Sequence, residues 1–316
     1  MNSTLTRTEL DRMDANPFIP GNAHTYHVWR EAKLHGYPTD ASSLIVRIKD
    51  PRNLAPDEYE AVLRRCRKTN LALYDLGRVP DADKDAIRRL GQQFGLRRLD
   101  SNLYADEDSI TSLQVTETPR QREYIPYSSL RLNWHTDGYY NATDKQIRGI
   151  LMHCVADAAS GGDNQYLDHE IAYILLRDAN PRYIPALMQP DAMTIPANVE
   201  QGVEIRGAET GPVFSVEANT GNLHMRYSAR TRNIVWKDDA DTRGAVAFLQ
   251  DLWANGCPQM YHHRLVPGQG VICNNILHNR AAFEDAPENG RTRLLYRARY
   301  YDRVQNTDLG ETECCG

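Results

Sequence analysis

Several things are scarce in this 316-residue chain, and each scarcity excludes a class of protein. No run of about 18 apolar residues occurs, which is the length a membrane-crossing helix needs, so no span is expected. The opening Met-Asn-Ser-Thr-Leu-Thr-Arg-Thr-Glu-Leu has no apolar core, so no secretory signal is expected. Six cysteines lie scattered at 66, 154, 257, 273, 314 and 315 with no Cys-x-x-Cys, which reads as reduced thiols in a cytoplasmic protein. Positive charge is in deficit: 37 Lys and Arg against 42 Asp and Glu leave −5, so no broad basic surface for nucleic acid is expected. Internal repeats and low-complexity linkers are absent too. The expected partner is a small molecule, with neither nucleic acid nor membrane. A homo-oligomer stays open.

What is present fits one large decorated β-rich domain. The expected division is an irregular N-terminal arm at 1–42, a single domain at 43–303 and a flexible tail at 304–316. The arm has one expected helix near Thr25–Leu34. A strand at Ser43–Lys49 leads to a helix from Pro56 to Thr69, acidic in its first turn and basic in its last, as the helix dipole favours. A strand at Leu71–Leu76 and a helix at Ala82–Phe94, stopped by Gly95, complete the front. Further strands are expected at Ser109–Val115, Gly149–Val155, Asn164–Leu167, His262–Leu265, Val271–Leu277 and Arg291–Tyr301. A hairpin turning at Thr220-Gly221 spans Gly211–Arg226. Helices are expected from His169, capped by Asp168, and over Asp241–Asn255. His153, inside an apolar strand, reads as a satisfied core histidine. So many short strands favour a mainly β, α+β fold with a sandwich or jelly-roll core over a doubly wound sheet.

The chemistry begins at Leu132–Tyr140, Leu-Asn-Trp-His-Thr-Asp-Gly-Tyr-Tyr. Alternate residues of a strand share a face, so His135 and Asp137 can converge on one point, with Gly138 next as a turn. Imidazole and carboxylate both suit a divalent first-row metal. Among the other histidines, His24, His27 and His35 lie in the arm, and vicinal His262 and His263 cannot share a strand face. His278 ends an apolar strand, where a barrel rim would present it. Two histidines and a carboxylate, with no cysteine nearby, match the facial triad that leaves coordination positions open on ferrous iron.

The last strand adds a second pattern. Arg291, Arg293, Arg297 and Arg299 occupy odd positions, so one face is cationic and the other largely apolar. Either that face is solvated, or some of its guanidiniums enter the barrel mouth, where each needs an anion. Arginine grips a carboxylate at two points, which is what a dicarboxylate co-substrate beside an open metal would require.

His135-x-Asp137, Gly161-Gly162-Asp163-Asn164, Pro267-Gly268-Gln269-Gly270-Val271-Ile272, Asn275, His278 and Arg293-Leu294-Leu295-Tyr296-Arg297 resemble, in order and spacing, the taurine/2,4-D dioxygenase family. The resemblance covers Ser43–Arg303. His135-Thr136-Asp137-Gly138 and Met225-Arg226-Tyr227 are similar to its glutarate hydroxylase branch. The resemblance implies a double-stranded β-helix, and iron(II), 2-oxoglutarate and O2 as cofactor and co-substrates. It implies His135, Asp137 and His278 as iron ligands. The residue for the far carboxylate of 2-oxoglutarate falls on Asn164, where the family has Thr or Ser. The arginine for that carboxylate falls on Arg293, while the interval from His278 suits Arg291 better, and a shift toward Arg297 or Arg299 would suit the glutarate branch. Arg297, with Tyr139 and Arg226, is implied for the primary substrate, a small anionic or zwitterionic molecule. The implied reaction is hydroxylation of an unactivated C–H, or a related oxidation such as desaturation, with succinate and CO2 as co-products. Halogenating relatives lack the carboxylate that Asp137 supplies. Two rival readings stand beside it: a zinc hydrolase on the same ligands, which leaves the arginines unexplained, and a binding protein without turnover.

Overall fold

The structure is a computed structural model that describes residues 15–77, 83–100, 109–115, 125–200, 202–230 and 234–312. The first 14 residues of the arm, Ala82 at an expected helix start, part of the loop before Leu130, and Cys314 and Cys315 of the tail lie outside those residues.

Ten strands carry the core: β1 (Ile45–Arg47), β2 (Leu71–Asp75), β3 (Thr111–Leu113), β4 (Leu132–His135), β5 (Gly149–Ala156), β6 (Asn164–Leu167), β7 (Tyr261–His263), β8 (Gln269–Cys273), β9 (Leu277–Arg280) and β10 (Leu294–Tyr300). The principal helices are α1 (Ala23–Leu34), α2 (Pro56–Thr69), α3 (Lys84–Gln93), α4 (His169–Ala179), α5 (Tyr183–Leu187) and α6 (Ala240–Asn255). The result is a mixed α+β architecture. One sheet has six strands in the order β1-β2-β8-β5-β10-β3, and a second has four in the order β7-β6-β9-β4. Only β1 and β2 pair in parallel within the larger sheet, with α2 as the crossover that a parallel pair needs.

The larger sheet is apolar on both faces, which is why β5 and β8 read as continuous hydrophobic runs. Leu71, Leu73, Ile150, Met152, Val271 and Leu295 share a cluster with Trp134, Tyr166, Leu167 and Leu277 of the smaller sheet. The alternate residues Ala72, Tyr74, Leu151, Ile272 and Ala298 join a second cluster with Val62 and Leu63 of α2 and Ile87 and Leu90 of α3. Arg297 and Arg299 have the parity of Leu295, and so turn toward the smaller sheet rather than toward the helices.

The helix ends follow side-chain chemistry. Pro56 opens α2, whose Glu58 accepts a hydrogen bond from the Ala55 N–H at 3.0 Å. Asp83, Asp168 and Asp239 each accept from an N–H in the first turn of α3, α4 and α6, an interaction worth about 1 kcal/mol per cap. The hairpin around Gly221 forms as expected, Phe214–Val216 pairing with Leu223–Met225.

Two expectations change. Val271–Leu277 is not one strand. The chain leaves the larger sheet after Cys273, turns at Asn274 and Asn275, and enters the smaller sheet as β9. Asn275 has φ 48°, a left-handed conformation that Asn tolerates and that ends a strand. His278 therefore lies within β9 rather than at the end of a strand. The stretches assigned to arm and tail also contribute to the core. Phe18, Tyr26 and Trp29 pack in the first cluster, Lys33 is buried, and Val304 and Thr307 are fully buried.

Candidate metal centre

β4 and β9 are neighbours in the smaller sheet, and His135 and His278 stand directly opposite each other in their register. Facing residues of an antiparallel pair bring their side chains together, and the two imidazole centroids lie 4.3 Å apart. Asp137 follows just beyond β4. Thr136 fixes that turn: its N–H donates to the Tyr227 carbonyl at 3.0 Å and its Oγ1 accepts the Tyr227 N–H at 3.1 Å. Gly138 has φ 68°, and a Cβ there would stand 2.4 Å from Ile147 Cγ1, so only glycine serves at this bend.

One ligand atom from each of His135, Asp137 and His278 falls within 4.8 Å of the others, and all three residues are buried. Each histidine is oriented by backbone two residues back. His135 Nδ1 is 2.8 Å from the Asn133 carbonyl, and His278 Nδ1 is 3.0 Å from the Ile276 carbonyl. A carbonyl only accepts, so Nδ1 carries the proton in both rings and each Nε2 keeps its lone pair free. His135 Nε2 lies 3.5 Å from Asp137 Oδ1. Asp137 Oδ2 is buried without a hydrogen-bond partner among the described residues. Burial alone would raise the Asp137 carboxyl, but the Arg297 guanidinium, with His135, His278 and Arg299 beside it, holds it well below its usual range. Burial, reinforced by His135, pushes His278 down to about 4, so it is neutral at neutral pH. Two free imidazole nitrogens, one ionised carboxylate and a buried oxygen lacking a partner fit a divalent cation.

Beside this cluster, between the sheets, lies a cavity lined by Met152, Asn164, His278, Arg280, Arg293 and Arg297. Asn164 is buried at the start of β6, its Nδ2 donating to the Asn279 carbonyl at 2.9 Å. Arg297 Nη1 is 3.4 Å from Asp137 Oδ1, and its buried Nε has no partner among the described residues. Arg293 and Arg280 lie against the Phe283 ring at 5.0 and 4.8 Å. Burial lowers both guanidiniums, Arg280 to about 9.

The structure thus brings His135, Asp137, His278, Asn164, Arg293 and Arg297 to one place. Tyr139 stands at its edge, its ring 6.4 Å from His135 and its hydroxyl accepting from Arg230 at 3.2 Å. Two candidates are elsewhere. Arg291 pairs with Asp157 at 3.0 Å with its side chain 48% exposed, because it precedes β10 and follows the turn at Gly290. Arg226 is buried among backbone carbonyls, donating to those of Tyr139, Glu209 and Met193 at 2.7, 2.8 and 3.0 Å, so its donors are already engaged by the fold. The remaining histidines stay apart from the cluster: His153 lies 3.2 Å from the Tyr74 hydroxyl, and His263 bonds Gln269 at 2.8 Å. Sequence reasoning did not single out Arg280, which lines the cavity while its Nη2 donates to the Ser128 and Leu130 carbonyls. The signal was there, since Arg280 is two residues beyond His278 in one strand and shares its face.

The sequence profile of the family described as "Taurine catabolism dioxygenase TauD, TfdA family" matches residues 38–299. Among curated proteins none matches. Solved structures share the fold at low identity. PvcB from Pseudomonas aeruginosa is 17% identical over 82% of this chain and 85% of its own, with TM-score 0.53. An asparagine oxygenase in complex with Fe(II), 3-hydroxyasparagine and succinate is 15% identical over 94% and 92%, with TM-score 0.52. AAD-2 in complex with Mn(II) and N-oxalylglycine is 11% identical over 83% and 97%, with TM-score 0.57.

Proposed function

The chain belongs to the taurine catabolism dioxygenase TauD, TfdA family, and from that premise we propose that His135, Asp137 and His278 hold the iron of a dioxygenase that consumes 2-oxoglutarate and O2. Membership makes it an iron(II)- and 2-oxoglutarate-dependent oxidoreductase acting on a small molecule. The residue roles rest chiefly on one observation: three free ligand atoms within 4.8 Å, beside a cavity lined by Asn164 and Arg293. We read the two sheets as halves of a double-stranded β-helix, a jelly roll, with residues 43–303 as the oxygenase domain. A cytoplasmic setting suits the four described cysteines, which are free thiols.

Bound iron supplies oxygen activation coupled to decarboxylation of 2-oxoglutarate, with succinate and CO2 as co-products. The chain's own residues supply position. Arg293 offers its guanidinium to the far carboxylate of 2-oxoglutarate, and Asn164 stands at the same cavity to donate to it. Arg297 stands with Nη1 3.4 Å from Asp137 Oδ1, while its Nε is available to an anionic group of the primary substrate. Apolar residues of both sheets, Met152 and Leu295 among them, wall the cavity and exclude water. Asp137 would give the metal a carboxylate ligand, which favours hydroxylation. The substrate we propose is a small anionic or zwitterionic molecule.

The test is succinate release with iron(II) and 2-oxoglutarate across a panel of anionic small molecules. Wild-type protein should release succinate, faster with the right substrate. His135→Ala, Asp137→Ala and His278→Ala should release none while remaining folded. Full activity in His278→Ala would remove it from the ligand set.

A further inference from the structure

Asp137 is held by its backbone, and the holder is Asn275. Asn275 Oδ1 accepts the Asp137 N–H at 2.8 Å, and Nδ2 donates to the Asp137 carbonyl at 2.9 Å and to the Ile147 carbonyl at 2.6 Å. One side chain thus closes a ring onto both backbone groups of a single residue, buried and 138 positions away. The same three bonds brace the turn that starts at Gly138, since Ile147 also packs against that glycine. Asn275 reaches there because its φ of 48° points the crossing between the two sheets toward β4.

The neighbouring asparagine faces the other way. Asn274 Nδ2 donates to Asn70 Oδ1 at 2.9 Å and Thr307 Oγ1 at 3.1 Å, and its Oδ1 accepts the Val304 N–H at 3.1 Å. Asn70 in turn donates to Asp168 at 3.0 Å, and Asp168 pairs with Lys33 at 2.7 Å. The crossing is therefore anchored in a buried polar network on one side and grips a metal ligand on the other.

Asp137 Oδ1 lies 3.4 Å from Arg297 Nη1 and 3.5 Å from His135 Nε2, so its carboxylate stands between a guanidinium and the ligand cluster. Were the Asp137 backbone free to rotate, the carboxylate could close further on Arg297 and leave the two histidines. We propose that Asn275 is a positioning residue that sets the Asp137 carboxylate for metal binding against the pull of Arg297. The inference rests on the metal-centre reading above.

Cobalt(II) binding alone, followed by its visible absorption, tests it with Asn275→Ala, Asn275→Gly and Asn274→Ala. Asn274→Ala removes a similar set of buried bonds one residue away, so it reports the purely structural loss. The expected result is comparable falls in Tm for both alanine variants, with cobalt(II) affinity weakened roughly tenfold or more only at Asn275. Asn275→Gly accepts the positive φ without strain, so it should fold even where the alanine variant does not, and show the same weakened binding. Cobalt(II) affinity within about twofold of wild type in Asn275→Gly, or equal weakening in Asn274→Ala, would overturn the proposal. Wild-type protein that binds no cobalt(II) would instead overturn the metal-centre reading, and this inference with it.

Discussion

Two buried arginines flank most of β10, Arg293 just before it and Arg299 near its end, in opposite conditions. Arg299 is 3% exposed and both its terminal nitrogens are answered within the chain, by Asp100 and by the Tyr140 hydroxyl at 2.7 Å. Tyr301 completes the set, donating to the other Asp100 oxygen at 2.6 Å. Burial would lower Arg299, yet Tyr140, Asp137 and Asp100 together raise it. Arg293 is 6% exposed, but the strand's ion pairs to carboxylates belong to Arg297 and Arg299. Asp285 accepts the Arg293 backbone N–H at 2.9 Å and acts on its guanidinium only through space. Burial is the largest influence on Arg293, and it is lowered. A buried charge satisfied by its own fold serves stability, whereas one facing a cavity without an internal anion is placed for a ligand.

The sharpest break of that comparison is at Arg299. Arg299→Leu leaves Asp100 charged and buried, and should cost roughly 3–5 kcal/mol in urea unfolding. A loss under about 1 kcal/mol would mean that the pair is not integral to the fold. Next in size is an acid effect on two histidines that burial keeps neutral, His153 in the core and His278 at the site. Folded His153 sits at about 4, below the ordinary 6.5, so between those values the unfolded chain binds a proton that the folded one refuses. Its share of stability is full above pH 6.5 and is lost as pH falls toward 4, by up to about 3 kcal/mol. His153→Gln should flatten the urea-unfolding profile over that window, and an unchanged slope would discount burial there.

Arg293→Leu should raise the 2-oxoglutarate requirement roughly tenfold or more, from about 1.5–3 kcal/mol of lost charged hydrogen bonding. Its stability should hold or rise, since burial outweighs the neighbouring groups that favour its charge. A stability loss matching that of Arg299→Leu would erase the contrast between the two arginines. Smallest is Arg291→Leu, an exposed ion pair worth about 0–1 kcal/mol, with an unaltered 2-oxoglutarate requirement as the expected reading.

Local pattern explains what the sequence made legible. His135 and Asp137 are two residues apart in one motif, and the helix bounds of α2 follow from proline and acidic residues at its start. The odd parity of Arg297 and Arg299 holds because both lie inside β10. Counting fails at Arg291, which precedes the strand, and pairing with β5 slips between Leu294 and Leu295. Long-range partners were not legible. Asp100 is 199 residues from Arg299, and the carbonyls around Arg226 come from three separate segments, so neither leaves a trace in spacing. The break inside Val271–Leu277 was hidden because both flanks are apolar. Only the paired asparagines marked it, and their effect depends on a left-handed φ that a hydrophobic pattern does not reveal.

The central claim is that His135, Asp137 and His278 bind iron beside an Arg293 that receives 2-oxoglutarate. Anaerobic addition of iron(II) and then 2-oxoglutarate, followed by visible absorption, tests it most directly. The account predicts a weak charge-transfer band in wild-type protein that is absent in His278→Ala and, at the same 2-oxoglutarate concentration, greatly reduced in Arg293→Leu. A band of full strength in both variants would contradict it.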